Sequence, residues 1–152
     1  MNQSIDDLHR LQVIRKEAIT TYNAAMDQLE NGATDTSVLE LAYASLYLWR
    51  QVGDDKNMAI GYWLCSRAHA LAGQGAFAVE MAETSLEHLQ RIQDPADWLI
   101  ASINEGWARA LVAAADPRTF DVLESTRNLI AAISDPEDRA LIADQFSTIK
   151  SV

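Results

Sequence analysis

The chain contains a single cysteine, Cys65, so no disulfide can form within it. It also has no run of 18 uncharged apolar residues, which predicts that no segment spans a membrane. The first residues, MNQSIDDLHR, are polar and acidic, unlike those of a secretory signal peptide. Together these absences predict a protein of a reducing compartment, the cytoplasm, that does not bind membranes.

Basic residues are also scarce: the chain has 12 Lys and Arg residues but 22 Asp and Glu residues, so its formal net charge is −10. A field of this sign repels phosphate backbones, which predicts that nucleic acid is not a partner. Six glycines and three prolines leave little material for the tight turns of an all-β chain. With 49% apolar residues and abundant alanine and leucine, the composition predicts one all-α domain over residues 1–152.

Each of the three prolines directly follows an aspartate, in Asp94-Pro95, Asp116-Pro117 and Asp135-Pro136. Proline is tolerated at the first position of a helix, because the N–H that it lacks has no partner there. An aspartate before it can cap the helix, since its carboxylate accepts hydrogen bonds from free N–H groups of the first turn. The three pairs therefore predict three helix starts, at residues 94, 116 and 135.

In the first half of the chain three helical patterns are each followed by a glycine: Gly32, Gly53 and Gly73. Glycine readily adopts the left-handed conformation that ends many helices, so all three predict helix ends of this kind. Apolar residues recur every three or four positions, and the short connections favour antiparallel packing of consecutive helices. These signals predict seven helices, over residues 4–31, 36–52, 56–72, 75–92, 95–115, 117–133 and 136–149.

The segment 59–90, AIGYWLCSRAHALAGQGAFAVEMAETSLEHLQ, resembles a tetratricopeptide repeat. In that family a bulky residue and a small one four positions later mark the first helix, a glycine turn follows, and small residues mark the second helix. The matching residues are Tyr62, Ser66, Gly73, Ala78 and Ser85. Small side chains are expected there because two helices approach closely only where the side chains between them are short.

Outside this segment the period is 41–42 residues rather than the family's usual 34, with Ala25 and Ala108 aligned to Ser66. The last helix, DPEDRALIADQFSTI, has the position of the capping helix that such a stack requires. The fold prediction is therefore an all-α, tetratricopeptide-like stack of antiparallel helix hairpins with a carboxyl-terminal capping helix.

The resemblance implies a binding module that holds a peptide or partner segment on a concave face, lined by the first helix of each pair. Carried over by position, the groove residues are Tyr22, Met26, Trp63, Arg67, Glu105 and Arg109. Arg67 and Arg109 occupy equivalent places, and a guanidinium matches a partner's carboxylate in geometry and charge. The alternative is that both arginines pair with acids of adjacent helices or lay their stems on apolar surface.

Four tryptophans are many for a chain of this length: Trp49, Trp63, Trp98 and Trp107. Apolar stripes predict that Trp49 and Trp107 belong to the core. Trp63 and Trp98 can either fill gaps between helices or anchor a partner, since tryptophan is enriched in binding hot spots.

The sequence contains no catalytic signature and predicts neither a metal site nor a cofactor, because HExxH and CxxC spacings are both absent. Cys65 and His69 lie four residues apart and share a helix face, so a thiolate–imidazole pair is conceivable. The favoured interpretation is a small buried thiol beside a polar helix residue. His69 and His88 could approach each other across neighbouring helices.

These observations predict a non-enzymatic helical repeat module that binds a protein or peptide segment. A homodimer is also expected, because the long first helix and the apolar last helix expose surface that a second copy can cover. The alternative is a regulatory domain that binds a small molecule in an aromatic pocket near Trp63 and Trp107. The third and least favoured alternative is an enzyme that uses Cys65 or His69.

Overall fold

In the computed structural model, residues 2–33 and 36–150 are described, and within these ranges the only regular secondary structure is helical. The helices are α1 (Asn2–Glu30), α2 (Ser37–Val52), α3 (Asp55–Leu71), α4 (Gly75–Arg91), α5 (Asp97–Ala113), α6 (Thr119–Ala131) and α7 (Pro136–Ser147). The predicted number and order of helices are therefore confirmed for this part of the chain. No helix within it is long and apolar enough to cross a membrane.

The seven helices form two layers. Each helix packs against the next, α3 also contacts α1 and α5, and α5 also contacts α7. Within the described ranges, α2, α4 and α6 contact only their neighbours in the chain, so they form the second layer. The main core lies between the layers from α1 to α5 and includes Leu46, Leu64 and Ile103. This arrangement confirms the predicted stack of antiparallel helix hairpins.

In each hairpin a buried hydroxyl on one helix donates a hydrogen bond to a backbone carbonyl of the other. The pairs are Ser45 with Ala18 (2.9 Å), Ser85 with Ala59 (2.6 Å) and Thr126 with Asn104 (3.4 Å). Burying a hydroxyl is costly unless it is hydrogen-bonded, so these contacts let short polar side chains lie where the helices come closest. Because Ser45 and Ser85 lie 40 residues apart, the contacts follow a period close to the predicted one.

The small residues of segment 59–90 also meet at a helix interface. Ser66 Oγ donates to the carbonyl oxygen of Ala78 at 2.8 Å, which joins α3 to α4. Ala25 and Ala108, aligned to Ser66 in the sequence, are buried in the same way on α1 and α5. The expected reason for small side chains, a close approach of two helices, therefore holds at these positions.

Only one aspartate–proline pair caps a helix as predicted. The side chain of Asp135 accepts hydrogen bonds from the backbone N–H groups of Glu137 (2.8 Å) and Asp138 (3.1 Å), with Pro136 at the first helical position. This is the N-cap geometry that satisfies donors of the first turn.

The capping roles predicted for Asp94 and Asp116 are wrong, and α5 and α6 each begin two residues after the predicted first helical residue. Asp94 has a φ of +55°, so it terminates the preceding turn, and α5 begins only at Asp97. Asp116 accepts from the backbone N–H of Arg118 at 2.9 Å within a turn that precedes α6, which begins at Thr119. Both prolines still separate two helices, because proline lacks the N–H that would continue the preceding one.

The predicted glycine conformation is confirmed at Gly32 and Gly73, whose φ values are +69° and +73°. It is wrong at Gly53, which is extended with a φ of −93°. Here Asp54 caps α3: its carboxylate accepts from the Asn57 N–H at 3.0 Å, and the Asn57 side chain accepts from the Asp54 N–H at 3.2 Å. This reciprocal pair leaves no need for a left-handed residue.

Helix α5 ends with an alanine in the conformation that glycine has after α1 and α3. Ala115 has a φ of +50°, and hydrogen bonds from Ala115 and Asp116 to the last turn close the same motif. Because a Cβ atom strains this conformation, Ala115→Gly is expected to raise the free energy of unfolding by about 0.5–1 kcal/mol. Urea denaturation followed by circular dichroism measures the change. Ala114→Gly is the control, since Ala114 is right-handed and gains nothing; equal effects would contradict the argument.

Candidate functional site

A groove runs along the open face of the layer formed by α1, α3, α5 and α7. It consists of two adjoining cavities of about 550 Å³ and about 730 Å³. The residues that border both cavities are Met26, Glu30, Leu141 and Gln145. Because α1 and α7 lie at opposite ends of the layer, they form the walls of the groove, and α3 and α5 form its floor.

Five of the six sequence-predicted groove residues line these cavities, and the prediction for the sixth, Glu105, is wrong because its side chain is buried. Tyr22, Met26 and Trp63 line the smaller cavity, and Met26, Arg67 and Arg109 line the larger one. Glu105 lies beneath the surface of the groove and is completely buried. Tyr22, Trp63 and Glu105 are 41 and 42 residues apart in sequence, so the repeat period places them at one level of neighbouring helices.

Glu105 binds both arginines of the groove. Its Oε2 atom lies 3.5 Å from Nη1 of Arg67 on α3, and its Oε1 atom accepts from Nε of Arg109 at 3.1 Å and also from Nη2. The arginines therefore pair with an acid of their own or the adjacent helix, as the alternative in the sequence analysis described. The three groups carry one negative and two positive charges, so their sum is positive.

Arg109 has further partners on α7. Its Nη2 atom donates to the Gln145 carbonyl oxygen at 2.8 Å and to the Thr148 hydroxyl at 2.9 Å. The last carbonyls of a helix have no partner within that helix, so this contact satisfies one of them. Arg109 thus holds the end of α7 against α5.

Arg67 has far fewer partners than Arg109. Its guanidinium lies 5.3 Å above the centre of the Trp63 ring, and the long contact to Glu105 is its one hydrogen bond within the described residues. Burial lowers the pKa of Arg67, while Glu105 acts in the opposite direction by stabilising the charged form. Arginine is nonetheless protonated at neutral pH, so a cation with unused donors borders the larger cavity.

Two hydroxyl groups in the smaller cavity also have no hydrogen-bond partner among the described residues. They belong to Tyr22 on α1 and Ser102 on α5. Burial raises the pKa of Tyr22, and the nearby charge of Arg67 partly offsets the rise. The groove therefore combines apolar walls with a few polar groups whose hydrogen-bonding capacity is not used.

The four tryptophans have different surroundings. Trp63 and Trp98 both border the smaller cavity, whereas Trp107 packs against the cluster of Ala78, Ala82 and Ala110 and lies under Arg118. The expected aromatic pocket formed by Trp63 and Trp107 is therefore wrong, since the ring beside Trp63 in the cavity is that of Trp98. Trp49 is buried in the core.

Cys65 and His69 do not form a reactive pair. Cys65 is completely buried, and burial raises the pKa of its thiol to about 12, so the thiol is protonated at neutral pH. Both ring nitrogens of His69 have partners: the Tyr43 hydroxyl at 2.7 Å and Oε1 of Gln74 at 2.6 Å. His88 lies beside Asp55 instead, at 2.8 Å.

The described ranges hold no group of three His, Cys, Asp or Glu side chains that could bind a metal ion. No chemistry is therefore assigned to a metal in the groove.

Residues of α7 and of the first turns of α5 also line the smaller cavity, although no sequence pattern placed them in the groove. These residues are Trp98, Ser102, Asp138, Leu141 and Gln145. A usable signal was present, because α7 is the first helix of a fourth, incomplete hairpin and so joins the same layer as α1, α3 and α5. Helix α7 therefore caps the stack, as predicted, and also forms one wall of the groove.

No protein-family model, curated protein or solved structure matches this chain. The resemblance to tetratricopeptide repeats therefore stays a prediction from sequence.

Proposed function

We propose that the chain is a non-enzymatic helical repeat module that holds a peptide segment of a partner protein in the groove between α1 and α7. The observation that carries this proposal is the continuity of the two cavities across four helices. A groove that crosses several repeats suits an extended ligand, which contacts each helix of the layer in turn. The resemblance of residues 59–90 to a peptide-binding repeat family supports the same proposal.

The chemistry of the groove supports a ligand with apolar side chains. Met26, Ile60 and Leu141 present apolar surface, and Leu141 is 59% exposed although it is a leucine. Exposed apolar surface beside a concavity is typical of a binding groove. The net charge of −10 supports a protein partner rather than nucleic acid, and a buried, unpaired Cys65 suits the cytoplasm as the place of action.

Leu141→Glu is expected to weaken peptide binding at least tenfold, about 1.4 kcal/mol, because it places a charge on the apolar wall. Peptides would be selected by phage display on the wild-type protein, and their dissociation constants measured by fluorescence anisotropy. Phe120→Glu on α6 is the matched control, because Phe120 is 75% exposed and lies outside the groove. Equal binding by wild type and Leu141→Glu, or no selected peptide, would contradict the proposal.

The alternative function is a regulatory domain that binds a small molecule, and the observation that favours it is the size and aromatic lining of the smaller cavity. Its volume of about 550 Å³ lies in the range of ligand pockets, and Tyr22, Trp63 and Trp98 line it. A metabolite panel followed by thermal unfolding distinguishes the two functions, since a tightly held small molecule raises the melting temperature. The peptide module predicts no such shift from the panel.

We also propose that two copies associate through the amino-terminal half of α1. Arg15 donates to the carbonyl oxygen of Val52 at 2.9 Å, so α2 ends beside Arg15 and the earlier residues of α1 extend past it. Ile5, Leu8 and Leu11 lie exposed on this extension. A helical segment that no other helix covers is marginally stable in water, and pairing of this part of α1 with a second copy would bury its apolar residues.

Leu8→Glu is expected to convert the dimer to a monomer, because it introduces a charge into the apolar contact. Light scattering coupled to size-exclusion chromatography measures the mass. Val13→Glu is the control on the same helix, because Val13 is also exposed but lies about 140° around the helix from Leu8. A monomeric wild type, or a dimer unaffected by Leu8→Glu, would refute the proposed interface.

A further inference from the structure

Three large aromatic side chains lie exposed on the second layer, away from the groove. Tyr43 and Tyr47 are one turn apart on α2, and Phe77 lies in the first turn of α4. They are 40%, 65% and 57% exposed, and together they are called the aromatic patch. Single exposed apolar residues are ordinary, but several in one place mark an interaction surface, and tyrosine and phenylalanine are enriched at interfaces.

His69 of α3 joins α2 to α4 beneath the aromatic patch. Its ring meets Tyr43 edge-on, with ring centres 5.6 Å apart, and stacks on Phe77 at 5.5 Å. The Tyr43 hydroxyl lies 2.7 Å from Nε2 of His69, and Oε1 of Gln74 lies 2.6 Å from Nδ1. Because His69 is buried and both its ring nitrogens have partners, it holds Tyr43 and Phe77 in position. Side chains that are already ordered lose little conformational freedom when a partner binds.

Two glutamates without ion-pair partners border the aromatic patch. Glu40 lies one turn before Tyr43 on α2, and Glu80 lies one turn after Phe77 on α4. Within the described ranges neither carboxylate forms an ion pair. Burial is the main cause that raises the pKa of Tyr43, and the negative charge of Glu80 contributes to the rise, so Glu80 lies near this tyrosine.

The helices that carry the aromatic patch are negatively charged. Their charged side chains are four glutamates and two arginines, which sum to −2: Glu40, Glu80, Glu83, Glu87, Arg50 and Arg91. Arg118 and Asp116 join Glu83 in a cluster, but their charges are opposite and leave this sum unchanged. Arg50 and Arg91 lie at the far ends of their helices, where Arg50 binds the Tyr62 hydroxyl at 2.7 Å. A positively charged segment is therefore attracted to this face, as it is to the whole chain with its net charge of −10.

Elsewhere in the protein, aromatic rings have a cation of the protein itself over them. An Arg or Lys group lies 5.3–5.9 Å from the ring centre of all four tryptophans, of Tyr62 and of Phe146. Among the described residues no such cation lies over Tyr43, Tyr47 or Phe77. A cation is attracted to the face of an aromatic ring, and arginine is the one most often found there. The aromatic patch therefore offers ring surface to a cation of another molecule.

We infer that the aromatic patch docks an arginine-containing basic segment of a partner protein, whose guanidinium groups lie on Tyr43 and Phe77 and pair with Glu40 and Glu80. Arginine suits both contacts, because its planar group stacks on aromatic rings and forms two parallel hydrogen bonds with a carboxylate. The patch belongs to the other layer from the groove, so this inference does not depend on the proposed peptide-binding function. The negative charge that attracts such a segment repels nucleic acid.

Two pentapeptide probes test the inference: acetyl-Ala-Arg-Ala-Arg-Ala amide and the same peptide with citrulline in place of both arginines. Citrulline keeps the shape of arginine but has no charge. The readout is the set of backbone NMR signals of Tyr43, Phe77 and Glu80 during titration of the labelled protein. We expect the arginine probe to shift these signals and to bind at least about tenfold more tightly than the citrulline probe.

Phe77→Leu is expected to weaken binding of the arginine probe about threefold, because leucine keeps apolar surface but has no ring for the cation. Glu80→Gln is expected to weaken it to a similar extent, since it removes a carboxylate and keeps the shape. Phe120→Leu is the matched control, because Phe120 is 75% exposed on α6 and among the described residues has no ring contact with the patch. Thermal unfolding of each variant verifies that it is folded.

Four results would overturn the inference. Equal binding of the two probes would reject arginine as the group recognised. Unchanged binding in folded Phe77→Leu and Glu80→Gln would place the probe elsewhere on the protein. Shifts of the same signals on dilution of the protein without a probe would show that a second copy covers the patch. No shift by the arginine probe at millimolar concentration would reject the docking surface itself.

Discussion

Glu105→Gln is expected to lower the free energy of unfolding by about 3–5 kcal/mol, because it leaves two arginines nearly buried without their common acid. Glutamine keeps the shape and one acceptor oxygen, so the loss reports the charge rather than a cavity. Arg67 keeps no other hydrogen bond in the described residues, and Arg109 keeps its contacts to Gln145 and Thr148. Urea denaturation followed by circular dichroism gives the value.

Glu83→Gln provides the matched control for this experiment. Glu83 lies 2.7 Å from Arg118, but both side chains are largely exposed to water, where an ion pair contributes little. Glu105→Gln and Glu83→Gln should therefore differ widely, although each removes one carboxylate from an arginine. Similar losses in the two variants would show that Glu105 does not have the role assigned to it.

A double variant sharpens the same prediction. Arg67→Gln in the Glu105→Gln protein removes one of the two uncompensated cations, so it should recover part of the lost stability. The same Arg67→Gln change in the wild type should cost stability, since it leaves Glu105 with one partner fewer. This difference in sign is the coupling that a double-mutant cycle measures, and additive effects would contradict a shared ion-pair network.

Gly75→Ala is the second change for which we expect a large effect, a loss of about 2–3 kcal/mol. Gly75 begins α4 against the end of α5, and a Cβ atom there would lie 2.5 Å from the Ala113 carbonyl oxygen and 2.6 Å from Cα of Ala114. Both contacts are with backbone, so no side-chain rotation can relieve them. The clash outweighs the gain of about 1 kcal/mol that alanine brings to a helix.

Gly61→Ala is the control for this prediction. Its nearest new contact would be Cδ1 of Leu46, at 3.0 Å, which is the tip of a flexible side chain. We expect a change within about 1 kcal/mol, because the helix preference of alanine and the tighter contact oppose each other. Thermal and urea unfolding of both variants test the contrast. A Gly75→Ala protein as stable as Gly61→Ala would refute the close approach of α4 and α5.

Residue types at helix ends predicted the local backbone conformation correctly where a position had to meet only one physical requirement. Gly32 and Gly73 end helices in the left-handed conformation, as glycine does at low cost, and Asp135 caps α7. The signals failed where one residue satisfies two opposed requirements. Asp94 precedes a proline, which favours a cap, but aspartate also tolerates the left-handed conformation, and the structure uses it there.

The repeat period predicted which residues share the groove, because equivalent positions of stacked helices lie at one level. Tyr22 and Trp63 both line the smaller cavity, whereas Glu105, at the equivalent position of α5, is completely buried. The period could not show that Glu105 lies beneath the groove and binds both arginines. That depends on the distance between α3 and α5, which is short because the Trp63 ring packs directly on Gly106.

By itself, the sequence determined the all-α class and the seven helices of the described ranges, since these follow from periodicity and helix-end chemistry near each residue. The side of each hairpin that faces the groove was implied by the resemblance to tetratricopeptide repeats. Only the tertiary structure decided that Arg109 holds α7 while Arg67 keeps its donors free. The two arginines have the same local pattern, and what separates them is the approach of α7 to one of them. An interaction between residues 36 positions apart in the chain leaves no local trace in the sequence.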